Sequence, residues 1–152
     1  MIEMRCEVGT PCLFCEVPLT KRKDPQWIVD LEGGVVRGLA DSTCVRRAKD
    51  LGAFEAVRTD FGEEPPGPER IRFARALESL KPKRVEGDEY FVWILATECV
   101  WKASNVEEAL ALPKVRFLLD WWVTGSQIMT QERADRIKQL FTKLVNEELA
   151  KI

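Results

Sequence analysis

"PCLFCEVPLTKRKDPQWIVDLEGGVVRGLADSTC", Pro11 to Cys44, is the stretch from which the rest of the chain can be placed. Two apolar runs, "QWIVDL" and "VVRGLA", flank Gly33 and Gly34. Glycine tolerates φ > 0, so a Gly-Gly pair between two such runs signals a hairpin turn. A two-residue turn sets Leu31 opposite Val36, Asp30 opposite Arg37 and Val29 opposite Gly38. One face would then carry Trp27, Val29, Leu31, Val36 and Ala40, and the other an Asp30–Arg37 charge pair. The hairpin runs directly into Asp41-Ser42-Thr43-Cys44. Short polar side chains there accept the orphan amides of a first helical turn, and "STCVRRAKDLG" continues as a helix closed by Gly52. Asp41 and Cys44, three apart at a helix start, can turn toward one point.

A Cys12-x-x-Cys15 knuckle precedes the hairpin, and the Asp41/Cys44 pair follows it. This order resembles the treble-clef family of zinc fingers over roughly residues 10 to 52. The resemblance implies a bound zinc, with Cys12 and Cys15 as the knuckle ligands and Cys44 as the last ligand. Asp41 stands where that family carries a Cys or His. Aspartate binds zinc through oxygen, and three thiolates with one carboxylate would make a closed, tetrahedral, non-catalytic site. A helix N-terminus favours both anions. Cys6 is the alternative fourth ligand, since Gly9 and Pro11 permit the chain to turn back. Two other readings stand beside this one. Cys6, Cys44 and Cys99 also suit burial as small hydrophobes. A Cys-x-x-Cys can be redox-active, but such a motif follows a strand and begins a helix, whereas Pro18, Lys21 to Lys23 and Pro25 come next here.

Outside this stretch the chain of 152 residues has 45% hydrophobic and 32% charged residues, the balance of a soluble protein with a real core. "MIEMRCEVGT" lacks a basic-then-apolar signal pattern, and the longest apolar run, Tyr90 to Ala96, is too short to span a bilayer. The expected setting is the reducing cytoplasm, with no membrane partner, where cysteines bind metal or are buried before they form disulfides. Scarce Asn among plentiful Glu, Arg and Lys leans toward a thermophilic source.

"DFGEEPPGPER", Asp60 to Arg70, holds three prolines and two glycines and cannot continue a helix or an inner strand. It separates a zinc-binding module at 1–60 from a helical module at 70–152, with 61–69 as linker. The expected class is α+β: a small knuckle, hairpin and helix module followed by a mainly α-helical one. Pro68 suits a first helical turn, with an apolar stripe at Ile71, Ala74, Leu77 and Leu80 that stops at Pro82. "DEYFVWILATECVWKAS" is apolar all round and is read as a buried helix rather than a strand. "VEEALAL" gives a short helix, and "PKVRFLLDWWVTG" a buried one that begins at Pro113 and ends at Gly125. Thr130 then caps a long helix with Ile137, Leu140, Phe141, Leu144, Val145, Leu149 and Ile152 on one face.

The chain has no histidine, which removes imidazole bases, Cys-His and Ser-His pairs, and the histidine-dependent nuclease chemistry of some treble-clef relatives. No GxxxxGK[ST] or GxGxxG occurs, so no phosphate cradle or small-molecule substrate is inferred. Glu63-Glu64, Glu107-Glu108 and Glu147-Glu148 read as solvated surfaces. The expected function is therefore non-enzymatic, a zinc-binding regulator or adaptor that docks on a protein partner. Trp121, Trp122 and the long C-terminal helix are the candidate docking elements. The competing reading is nucleic-acid binding through Lys21, Arg22, Lys23, Arg46, Arg47 and Lys49. Against it, residues 1 to 60 carry nine Lys/Arg and ten Asp/Glu, and the whole chain has a net charge of −2. Small zinc-knuckle proteins of this make-up include accessory regulators of transcription, some from viruses of thermophiles, a likeness without residue-level matches.

Overall fold

The computed structural model describes residues 5–20, 24–48, 54–80 and 87–152. The chain divides into two compact units, Met1–Ile71 and Arg72–Ile152. As the sequence pattern implied, the fold is mixed, with a small antiparallel sheet early in the chain and helices after it.

The sheet consists of β1 (Pro25–Asp30), β2 (Val35–Asp41) and β3 (Phe54–Arg58) in the order β2-β1-β3, all antiparallel. β3 has no counterpart in the sequence reading. Trp27, Ile28 and Val29 of the central strand are buried in succession, so both faces of β1 are covered and the alternation of a hairpin with one wet face is lost. The hairpin itself forms with a different register. Asp30 pairs with Val35 and Val29 with Val36, and a bulge at Arg37 shifts the ladder so that Ile28 meets Gly38 and Trp27 meets Leu39. The turn is wider than two residues because Gly33 N donates to Asp30 Oδ1 at 3.1 Å, which takes Leu31 out of the strand. The expected Asp30–Arg37 ion pair survives, at 3.3 Å, because the bulged Arg37 still reaches across.

α1 (Ser42–Arg47) follows β2 directly. It ends at Arg47, with Ala48 as C-cap donating its amide to Cys44 O, so it is shorter than the sequence implied. Gly52, the expected stop, lies outside the described residues, as does Pro82. The segment before the knuckle is tied down by Cys6 N donating to Glu63 O at 2.9 Å and by Gly62 N donating to Cys6 O at 2.7 Å.

α2 (Pro68–Glu78) begins at the expected proline and runs across the division between the units. In the second unit follow α3 (Gly87–Cys99), α4 (Val106–Ala111), α5 (Pro113–Asp120), a π-helical turn at Trp121–Gly125, and α6 (Gln131–Lys151). The ambiguous apolar stretch is thus helical, with Val92, Leu95, Ala96 and Cys99 buried. Asn105 caps α4, its side chain accepting from Glu108 N, and Thr130 caps α6 by accepting from Arg133 N. Phe73, Leu77, Val92, Leu95, Val115, Trp122, Ile137, Phe141 and Val145 share one core. The apolar face of α6 is as expected except at Ile152, which is exposed. The π turn has a local cause. A Cβ on Gly125 would overlap the Trp121 ring, so only glycine lets that ring lie over the backbone of the turn.

Candidate metal centre

The knuckle is a closed loop in its own right. Cys12 N donates to Val17 O at 3.0 Å and Glu16 N to Cys12 O at 2.9 Å, while Pro11 and Pro18 form an isolated antiparallel bridge. Glu16 closes the loop with φ of 64°, a left-handed conformation that an ordinary L residue enters at a cost of about 1–2 kcal/mol. One further bond places the loop: Leu13 N donates to Leu39 O at 2.8 Å, which fastens it beside the end of β2. That end leads straight into α1. Cys44 in the first turn of α1 therefore arrives beside Cys12 and Cys15.

The Sγ atoms of Cys12, Cys15 and Cys44 lie within 4.8 Å of one another. All five cysteines are free thiols. Cys12 is buried, Cys44 half-buried and Cys15 exposed, so the cluster lies at the surface of its unit with one wall inside it. The donor set fits a soft or borderline metal ion, since converging thiols with nothing between them repel once deprotonated unless a cation sits among them. Electrostatics agree with this. Burial pushes the Cys12 thiol up, but amides of Asp41, Cys15 and Phe14 and the Cys15 thiol, all bonded to its sulfur, bring it down to about 7. The Cys44 thiol is pushed up to about 11, first by its hydrogen bond with Cys15, then by burial, its bond with Cys12 and the charges of both neighbours. The Cys12 sulfur is ready to be a thiolate, and Cys44 resists ionising beside it. A divalent cation removes that conflict.

Neither expected fourth ligand joins the cluster. The Asp41 carboxylate accepts from Thr43 N at 2.8 Å and serves as the N-cap of α1, while its backbone amide donates to Cys12 Sγ at 3.4 Å. Asp41 thus supports the site from both ends, orienting the helix that carries Cys44 and donating to the Cys12 sulfur. Cys6 is fully buried and pinned by its backbone bonds to residues 62 and 63. Burial, followed by the charges of Glu63 and Asp60, raises its thiol above the ordinary value. Cys99 is a core residue of the second unit, its thiol pushed up to about 12 by burial, as the small-hydrophobe reading expected.

The other candidate residues are distributed as follows. Trp122 is 6% exposed and packs edge-on against Phe91, with ring centroids 4.9 Å apart, so it belongs to the core. Trp121 is 48% exposed and stacks on Phe117, itself 59% exposed, with centroids 6.2 Å apart. Phe117 was missed, although its spacing of four residues from Trp121 on a helix was the signal. Arg46 and Arg47 are exposed on the last turn of α1. Lys21, Arg22, Lys23 and Lys49 lie outside the described residues. No helix among the described residues is long and apolar enough to cross a membrane. In comparisons with protein-family models, characterised proteins and solved structures, nothing matches this chain.

Proposed function

We propose that this protein is a non-enzymatic regulator or adaptor, built around a treble-clef-like zinc centre, that docks on a protein partner in the regulation of transcription. The observation that carries the zinc assignment is the convergence of Cys12, Cys15 and Cys44, from a knuckle and a helix N-terminus separated by a hairpin. Thiolates at this number and spacing select zinc among the abundant intracellular divalent ions. In that role the metal would staple a unit whose sheet has only three short strands. Metal analysis of protein purified under reducing conditions tests the assignment. About one zinc per chain is expected, and a well-folded, metal-free protein would refute it.

Docking is supported by the Phe117–Trp121 stack, because two large aromatic rings held against each other in solvent are the kind of anchor that dominates protein interfaces. Capture of partners from lysate with the wild-type chain and with Trp121→Ala tests it, the variant being expected to lose the specific partner. A second reading, nucleic-acid binding, is favoured by the adjacent exposed Arg46 and Arg47. It predicts affinity that falls steeply with salt and is abolished in the Arg46→Ala, Arg47→Ala double variant.

A further inference from the structure

We propose that the metal held by Cys12, Cys15 and Cys44 takes its fourth donor from another molecule, and that this donor is a neutral histidine imidazole on an apolar segment of a protein partner. The inference rests on the zinc reading above and adds how a partner is engaged.

Among the described residues the metal-binding cluster has three members. Neither sequence candidate for a fourth lies with them: one Asp41 carboxylate oxygen caps α1, and Cys6 is buried where its backbone pairs with residues 62 and 63. The choice of imidazole follows from charge. Three thiolates around a divalent cation leave a net charge of −1, and a carboxylate or a fourth thiolate would add a like charge at bonding distance, whereas imidazole adds none. The chain contains no histidine, so a second copy cannot supply it either.

The surroundings suit a partner segment. Cys15 is exposed, and Leu13, Phe14 and Val17 around it are 46%, 42% and 48% exposed. Three large apolar side chains on one eight-residue knuckle, next to a metal, offer contact area that a single coordinate bond lacks. A hydrophobic segment bearing one histidine satisfies both features together.

Cobalt(II), replacing zinc in the full-length protein, gives the test, since its visible absorption reports the donor set directly. Titration with imidazole is expected to shift the cobalt band saturably while the thiolate-to-cobalt absorption stays intact. 2-Mercaptoethanol at the same concentration should shift it less. Cys6→Ser should leave both the spectrum and the imidazole response unchanged. A band that ignores imidazole, a larger response to the thiol, stripping of cobalt by imidazole, or a spectrum altered in that variant would overturn the inference while leaving the metal assignment in place. Protein that binds no cobalt would bring down the zinc reading itself, and this inference with it.

Discussion

Replacing Asp41 by alanine separates its two possible roles by magnitude. As a helix cap, its carboxylate accepts one amide hydrogen bond of 2.8 Å from Thr43, and the residue is 7% exposed. Losing a cap costs about 0.5–2 kcal/mol, and a short, charge-assisted and largely buried bond belongs in the upper half, about 1.5 kcal/mol. That loss should speed hydrogen exchange of the first α1 amides about tenfold, and it can weaken metal binding by no more than about the same factor. As a ligand, Asp41 would hold one of four shares of a zinc-binding free energy of about 10–16 kcal/mol, so its removal would cost about 2.5–4 kcal/mol, or about sixtyfold to seven-hundredfold in affinity. Asparagine distinguishes the two further, because it caps as well as aspartate does but carries no charge. Zinc affinity by competition with a chromophoric chelator, together with exchange measured by mass spectrometry on the α1 peptide, supplies both readouts. The cap role predicts faster exchange in Asp41→Ala, near-normal exchange in Asp41→Asn, and affinities within about tenfold of wild type in both. A hundredfold loss of zinc affinity in both variants would refute the reasoning and return Asp41 to the metal.

Cys12→Ser should release the metal and unfold the first unit, visible as loss of protection throughout β1 and β2 by hydrogen exchange. Trp122→Ala should destabilise the second unit by about 3–5 kcal/mol because it empties a core position, whereas Trp121→Ala should change stability little in a urea titration. The second unit should also lose stability in alkali: burial raises the Cys99 thiol to about 12, so its contribution is complete below about pH 9, the unfolded value, and declines as pH rises toward 12. Cys99→Ala should remove that decline, at most about 1.4 kcal/mol per pH unit, and an unchanged alkaline slope would show that other groups cause it.

Much of the helical half was legible because its signals are local and redundant. Pro68 and Pro113 mark first turns, Thr130 caps, and the apolar spacing of α6 puts Ile137, Phe141 and Val145 on one face. The sheet was harder because register and strand order depend on partners far away in sequence. Gly33-Gly34 indicated a hairpin, but whether the turn takes two residues or four was decided by the Asp30 side chain accepting the Gly33 amide. β3 is five residues, "FEAVR", too short and too mixed to stand out. In β1, "WIV" is apolar on both faces, the mark of a strand covered above and below, but that pattern does not reveal a third strand beside it.

The metal centre shows the same division at the scale of single atoms. A pair of cysteines three apart and a third at a helix start could be read, because spacing and a capping signal bring Cys12, Cys15 and Cys44 together once the hairpin folds. The duty of Asp41 could not be. An aspartate three residues before a cysteine at a helix start has the same appearance whether its oxygen takes an amide or a metal, and both uses favour an anion at that place. What decides is where the carboxylate is placed. The Thr43 amide is two residues away, and helical geometry delivers it to one carboxylate oxygen without rearrangement, whereas the carboxylate does not lie with the three sulfurs. A helix that short has no stability to spare for its own terminus, because nucleation is its main cost and packing must repay it. The cap wins on those terms, and the cluster keeps three protein donors among the described residues, with Cys44 held in place by the helix that Asp41 secures.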